Sequence, residues 1–129
     1  MVSFNKQFYK DKAFKYADDE VLEYVEEKIK YKKSQLKDRS VYEKKTGKTS
    51  ALVFLSLLYN IPLIVKNEEE KDYLKREYPI LEVYSINDYN NFKEKPTELI
   101  LDEVFEGNNM LDEMNKNNGT EFYGLFILN

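Results

Sequence analysis

Four short apolar runs constrain this chain more than any other feature: Ile61-Pro62-Leu63-Ile64-Val65, Ile80-Leu81-Glu82-Val83-Tyr84, Leu99-Ile100-Leu101 within residues 98–102, and Tyr123-Gly124-Leu125-Phe126-Ile127-Leu128. Strands that are apolar on successive residues are buried on both faces. Between these runs stand helical stretches: Ser50 to Tyr59 is densely apolar, Glu68 to Glu77 is charged and followed by Pro79, and Asn109 to Lys116 is a shorter candidate. Residues 86–96, rich in Asn and Lys, read as a polar connection. Buried strands alternating with helices predict an α/β fold with a mostly parallel sheet and right-handed crossovers.

The N-terminal part reads differently. Residues 1–17 mix lysines with Phe4, Phe8, Tyr9, Phe14 and Tyr16 at no clear period, as expected of an arm packed on the domain through isolated aromatics. Over residues 19–37, Val21, Leu22, Val25, Ile29 and Leu36 fall mostly at steps of three and four, which predicts an amphipathic helix capped by Asp18 or Asp19. Residues 38–46 form a polar bridge in which only Val41 and Tyr42 suit a buried strand.

With 129 residues, the chain fits one domain: residues 1–38 as arm and helix, residues 39–129 as core. The sequence holds no cysteine and no histidine, which excludes disulfides, thiolate metal sites, cysteine nucleophiles and the usual zinc and acid–base residue. Catalysis then falls to carboxylates, Lys, Ser, Thr, Tyr or a hard cation such as Mg²⁺. The net charge of −4 predicts no strong attraction to nucleic acid, so a patch of Lys44, Lys45 and Lys66 would bind it weakly at most. The first residues have no apolar signal core and no run is long enough to span a bilayer, so a cytoplasmic protein without membrane contact is expected.

The chemistry-bearing motif is Thr46-Gly47-Lys48-Thr49 directly before the apolar helix. A phosphate-binding loop needs a glycine for close backbone approach, a helix start whose free N–H groups face the anion, a lysine for the β- and γ-phosphates and a hydroxyl for Mg²⁺. Lys45, Thr46, Gly47, Lys48, Thr49 and Ser50 supply these groups. A bare Gly-Lys followed by Ser or Thr arises by chance in roughly 5% of chains this long. The full pattern also has a glycine where Tyr42 stands. A second element is therefore needed, and Asp102-Glu103 at the end of an apolar strand provides it. Asp102 would join Thr49 in holding Mg²⁺, and Glu103 would orient the attacking water. The competing structural explanations are a glycine turn before a helix, and a strand ending in acids of which Asp102 caps the next helix.

On these residues the chain resembles the first ATPase domain of superfamily-two helicases and of terminase large subunits, and the small P-loop proteins of bacteriophages. The resemblance covers about residues 40–129. Tyr42-Glu43-Lys44-Lys45-Thr46-Gly47-Lys48-Thr49 looks like a variant Walker A loop, and Leu99-Ile100-Leu101-Asp102-Glu103 like a Walker B strand. Ile61 to Asn67 is similar to the strand and loop after the Walker A helix, and Leu125 to Asn129 resembles the strand whose polar tip, here Asn129, senses the γ-phosphate. The resemblance implies a reduced, three-layer P-loop fold that binds Mg²⁺ with ATP. Lys48 and Glu103 would be catalytic, and hydrolysis would be weak or partner-dependent, as in a phage or mobile-element accessory factor. An arginine finger would come from Arg39, Arg76 or a second subunit, so a protein partner or homo-oligomer is expected. The alternative is a catalytically degenerate P-loop fold used as a protein-interaction module, a reading that Tyr42 favours.

Overall fold

The computed structural model describes residues 2–33, 35–38, 47–94, 96–105 and 120–127. Helices α1 (Val2–Tyr16) and α2 (Asp19–Lys30) precede strand β1 (Gln35–Asp38). Helix α3 (Lys48–Tyr59), strand β2 (Leu63–Val65), helix α4 (Glu68–Glu77), strand β3 (Val83–Ser85) and helix α5 (Ile86–Asn90) follow. Strands β4 (Glu98–Phe105) and β5 (Glu121–Ile127) complete the described elements. The strands form one five-stranded sheet in the order β1-β5-β4-β2-β3, and every described pairing is parallel.

Both faces of the sheet are covered, as the unbroken apolar runs require. On one face Leu63, Val65, Val83, Ile100, Tyr123 and Leu125 pack with Val21, Val25 and Ile29 of α2, the apolar side of α3, and Leu74 of α4. On the other face Ile64, Leu99, Leu101 and Phe122 pack with Ile86 and Tyr89 of α5. Helices α3 and α4 carry the chain one way along the sheet over the first face. Helix α5 lies on the return from β3 to β4, over the second. Crossovers of a single hand demand this arrangement. Among the described residues, no helix is long and apolar enough to cross a membrane.

Two N-terminal expectations change. The arm is helical from Val2 to Tyr16. Its periodicity is hidden because Ala13 is its one fully buried apolar residue among those with described side chains, with Tyr9 one turn earlier half-buried, while Phe8, Phe14 and Tyr16 are exposed. Helix α2 starts where expected, with the Asp18 carboxylate accepting from the N–H groups of Glu20 and Val21. It ends at Lys30, short of residue 37. Lys32 takes a left-handed φ of 51°, its N–H donates to the Ile29 carbonyl, and the Lys33 N–H reaches back to the Lys28 carbonyl at 2.9 Å. That closing pattern terminates a helix. Leu36, seven residues after Ile29, mimics the helical period but belongs to β1, opposite Gly124.

Two further differences are local. The polar connection begins with α5, closed by a reciprocal box between Ser85 and Asp88. The strand expected to end at Asp102 runs on to Phe105. The strand residues expected at Val41 and Tyr42 and the helix expected at 109–116 lie outside the described residues.

Gly124 fixes how closely β5 approaches β4. Its φ is +130°, and a Cβ there would stand 2.1 Å from the Leu101 carbonyl oxygen. Gly124→Ala therefore forces strain and a backbone shift in the buried centre of the sheet. We expect a loss of about 3 kcal/mol or more, seen in urea unfolding as a lower midpoint with an unchanged slope. An unchanged midpoint would contradict this packing.

Candidate functional site

The start of α3 meets β4 where that strand is irregular, and here the sequence-expected residues meet. Gly47 is the N-cap of α3, with φ 92° and ψ −5°. Gly47 brings no side-chain cap of its own, and the first turn of this helix holds no acid. By contrast, α2 and α4 carry acids in their first turns and side-chain caps from Asp18 and Asn67. The first turn of α3 instead holds Lys48, 8% exposed. An anion bound at the start of a helix is favoured by the dipole there.

Thr49, one residue on, donates its Oγ1 hydrogen to Asp102 Oδ2 at 2.7 Å. Asp102 is 1% exposed. Its position in β4 is irregular. Leu101 pairs with Gly124 and Val104 with Phe126, so three steps in β4 stand opposite two in β5. Asp102 and Glu103 occupy this bulge. An extra residue of this kind re-aims side chains and is over-represented beside active sites. Because β4 continues through the bulge to Phe105, Asp102 does not cap a following helix.

Gly47 has a role that its local sequence does not reveal. A Cβ at this position would stand 2.6 Å from the Tyr16 carbonyl oxygen and 2.9 Å from the Asp18 nitrogen. The Gly47 carbonyl accepts from Asp18 N–H at 2.9 Å and from Ala51 N–H at 3.1 Å. The glycine therefore lets the α1–α2 junction press against the start of α3, a need that stands with or without a bound phosphate. Nothing near Gly47 in the sequence signals Tyr16 and Asp18 as its neighbours.

Of the sequence-expected site, Gly47, Lys48, Thr49, Ser50 and Asp102 converge here. Glu103 follows Asp102 in β4, described in its backbone position only. Lys45, Thr46 and Asn129, like Arg39, Tyr42 and Lys44, lie outside the described residues. Arg76 is exposed in the last turn of α4. The Thr49 hydroxyl and Asp102 carboxylate are hard oxygen donors of the kind Mg²⁺ takes. Among the described residues no group of three or more acidic side chains could hold a metal ion.

Compared with models of protein families, with curated proteins and with solved structures, the chain matches none.

The pair also bears on stability. Thr49→Val keeps the shape and removes one donor to a buried carboxylate. We expect a loss of about 2 kcal/mol in ligand-free protein, measured by urea unfolding. Wild-type stability in this variant would show that the hydrogen bond does not form in solution.

Proposed function

We propose that this chain is a P-loop ATP-binding domain whose hydrolysis is weak or dependent on a partner. The observation that carries the proposal is the 2.7 Å bond from Thr49 to the buried Asp102, which joins the start of α3 to the bulge of β4. Phosphate would sit on the N–H groups at the head of α3, with Lys48 offsetting its charge. Thr49 and Asp102 would hold Mg²⁺, which would supply positive charge against the phosphates. Glu103 would orient the attacking water. The parallel sheet supports this reading, since ligands of such sheets gather at the carboxyl ends of the strands. The resemblance to small bacteriophage P-loop proteins suggests an accessory factor.

A second reading is an interaction module in which the nucleotide site is vestigial. It is favoured by the aromatic side chains that α1 leaves in solvent, with Phe8 60%, Phe14 55% and Tyr16 59% exposed.

Thermal unfolding with MgATP separates the two. At one hundred times its dissociation constant, ATP stabilises the fold by about 2.7 kcal/mol, a rise of roughly 10 °C at this size. Lys48→Ala should abolish that rise. The absence of any shift for wild type at millimolar MgATP would leave the interaction module standing. If ATP binds, Glu103→Gln should lower turnover at least a hundredfold, and unchanged turnover would remove Glu103 from the chemistry.

A further inference from the structure

A cleft of about 510 Å³ opens beside the start of α3, between α1 and α4. Thr49 and Ser50 line it from α3, Lys12 and Tyr16 from α1, and Glu70 and Tyr73 from α4. The walls are fastened together. Lys12 Nζ donates to Glu77 Oε1 at 3.0 Å and to the Glu77 carbonyl at 3.1 Å, and lies 4.8 Å from the centre of the Tyr78 ring. The hydrogen bond to Glu77 holds the Lys12 ammonium above the ordinary lysine value. Lys12 thus acts as a strut across the cleft. Tyr78 is buried, whereas Tyr73 is 50% and Tyr16 59% exposed. Thr49 belongs both to this cleft and to the pair with Asp102.

We infer that the cleft receives the base and ribose of a purine nucleoside triphosphate whose phosphates occupy the head of α3, an assignment that rests on the nucleotide reading above. The volume is that of a small-ligand site, and walls already tied together by Lys12 need little reorganisation on binding. Charge decides which end of the ligand enters. The lining holds two carboxylates, Glu70 and Glu77, and one lysine already paired with Glu77. Phosphate is therefore excluded from the cleft and left at the helix start, while a neutral base is admitted. The half-exposed ring of Tyr73 offers a stacking face, which is worth a measurable part of the affinity for any base. Glu70 offers an acceptor suited to an exocyclic amine. A purine supplies both the wider stacking surface and, in adenine or guanine, that amine.

Calorimetric titration of the full chain with the Mg²⁺ complexes of ATP, UTP and tripolyphosphate tests this. Tripolyphosphate carries the anionic part without a base. The expected result is that Tyr73→Ala, checked for an unchanged fold by circular dichroism, raises the Kd for ATP about tenfold, equivalent to about 1.4 kcal/mol. The same variant should leave tripolyphosphate affinity unaltered, Tyr73→Phe should restore ATP affinity, and UTP should bind wild type about tenfold more weakly than ATP. If Tyr73→Ala changes ATP and tripolyphosphate affinity equally, or changes neither, the base does not lie in this cleft, although the phosphate site stands. Equal affinity for UTP and ATP overturns the purine assignment. Failure of wild type to bind any of the three overturns both the cleft and the nucleotide reading.

Discussion

A hydroxyl and a carboxylate 53 residues apart join the first turn of α3 to the centre of the sheet, Thr49 donating to Asp102 at 2.7 Å. Burying a carboxylate is costly unless hydrogen bonds meet it, so Asp102, 1% exposed, constrains where α3 can start. The bulge in β4 lies at Asp102 and Glu103, and Gly124 lets β5 close against Leu101 immediately before it. The irregular part of the sheet and the start of the helix are thus one construction. Disturbing either would displace the other.

A second contact sets the same helix start from outside. The α1–α2 junction rests on Gly47 so closely that no side chain fits between them, and the Asp18 N–H donates to the Gly47 carbonyl. Asp18 therefore serves two ends of structure: its carboxylate caps α2, and its N–H holds the turn into α3. The N-terminal helices thereby form part of the frame around the candidate site. Helix α1 also supplies one wall of the adjoining cleft through Lys12 and Tyr16. Tyr16, one of its exposed aromatics, is also the residue whose carbonyl presses on Gly47.

Much of the fold was legible because burial on both faces leaves a plain mark. The runs around Leu63, Val83, Ile100 and Leu125 lack alternation, and each contributes a strand of the parallel sheet. Where the signal failed, a longer-range contact had overridden it. Leu36 keeps a helical spacing from Ile29, but the left-handed turn at Lys32 ends the helix and delivers Leu36 to β5. Among its described side chains, helix α1 buries too few residues to show a stripe. Helix α5 had a readable mark in Ser85 and Asp88, a reciprocal cap that asparagine-rich composition obscured. In the site, Lys48, Thr49 and Asp102 could be picked out because their chemistry is local to a helix start and a strand end. The pressure of Tyr16 and Asp18 on Gly47, and the cleft between α1 and α4, arise from tertiary packing alone and have no local pattern to betray them.

The central claim is that an anion belongs on the N–H groups at the head of α3. Titration of the ¹⁵N-labelled chain with MgATP, followed amide by amide, tests it most directly. The account predicts the largest shifts at Lys48, Thr49 and Ser50, saturating together, with a smaller response at Asp18 through Gly47. Shifts confined to residues remote from this helix start, or none at millimolar MgATP, would contradict it.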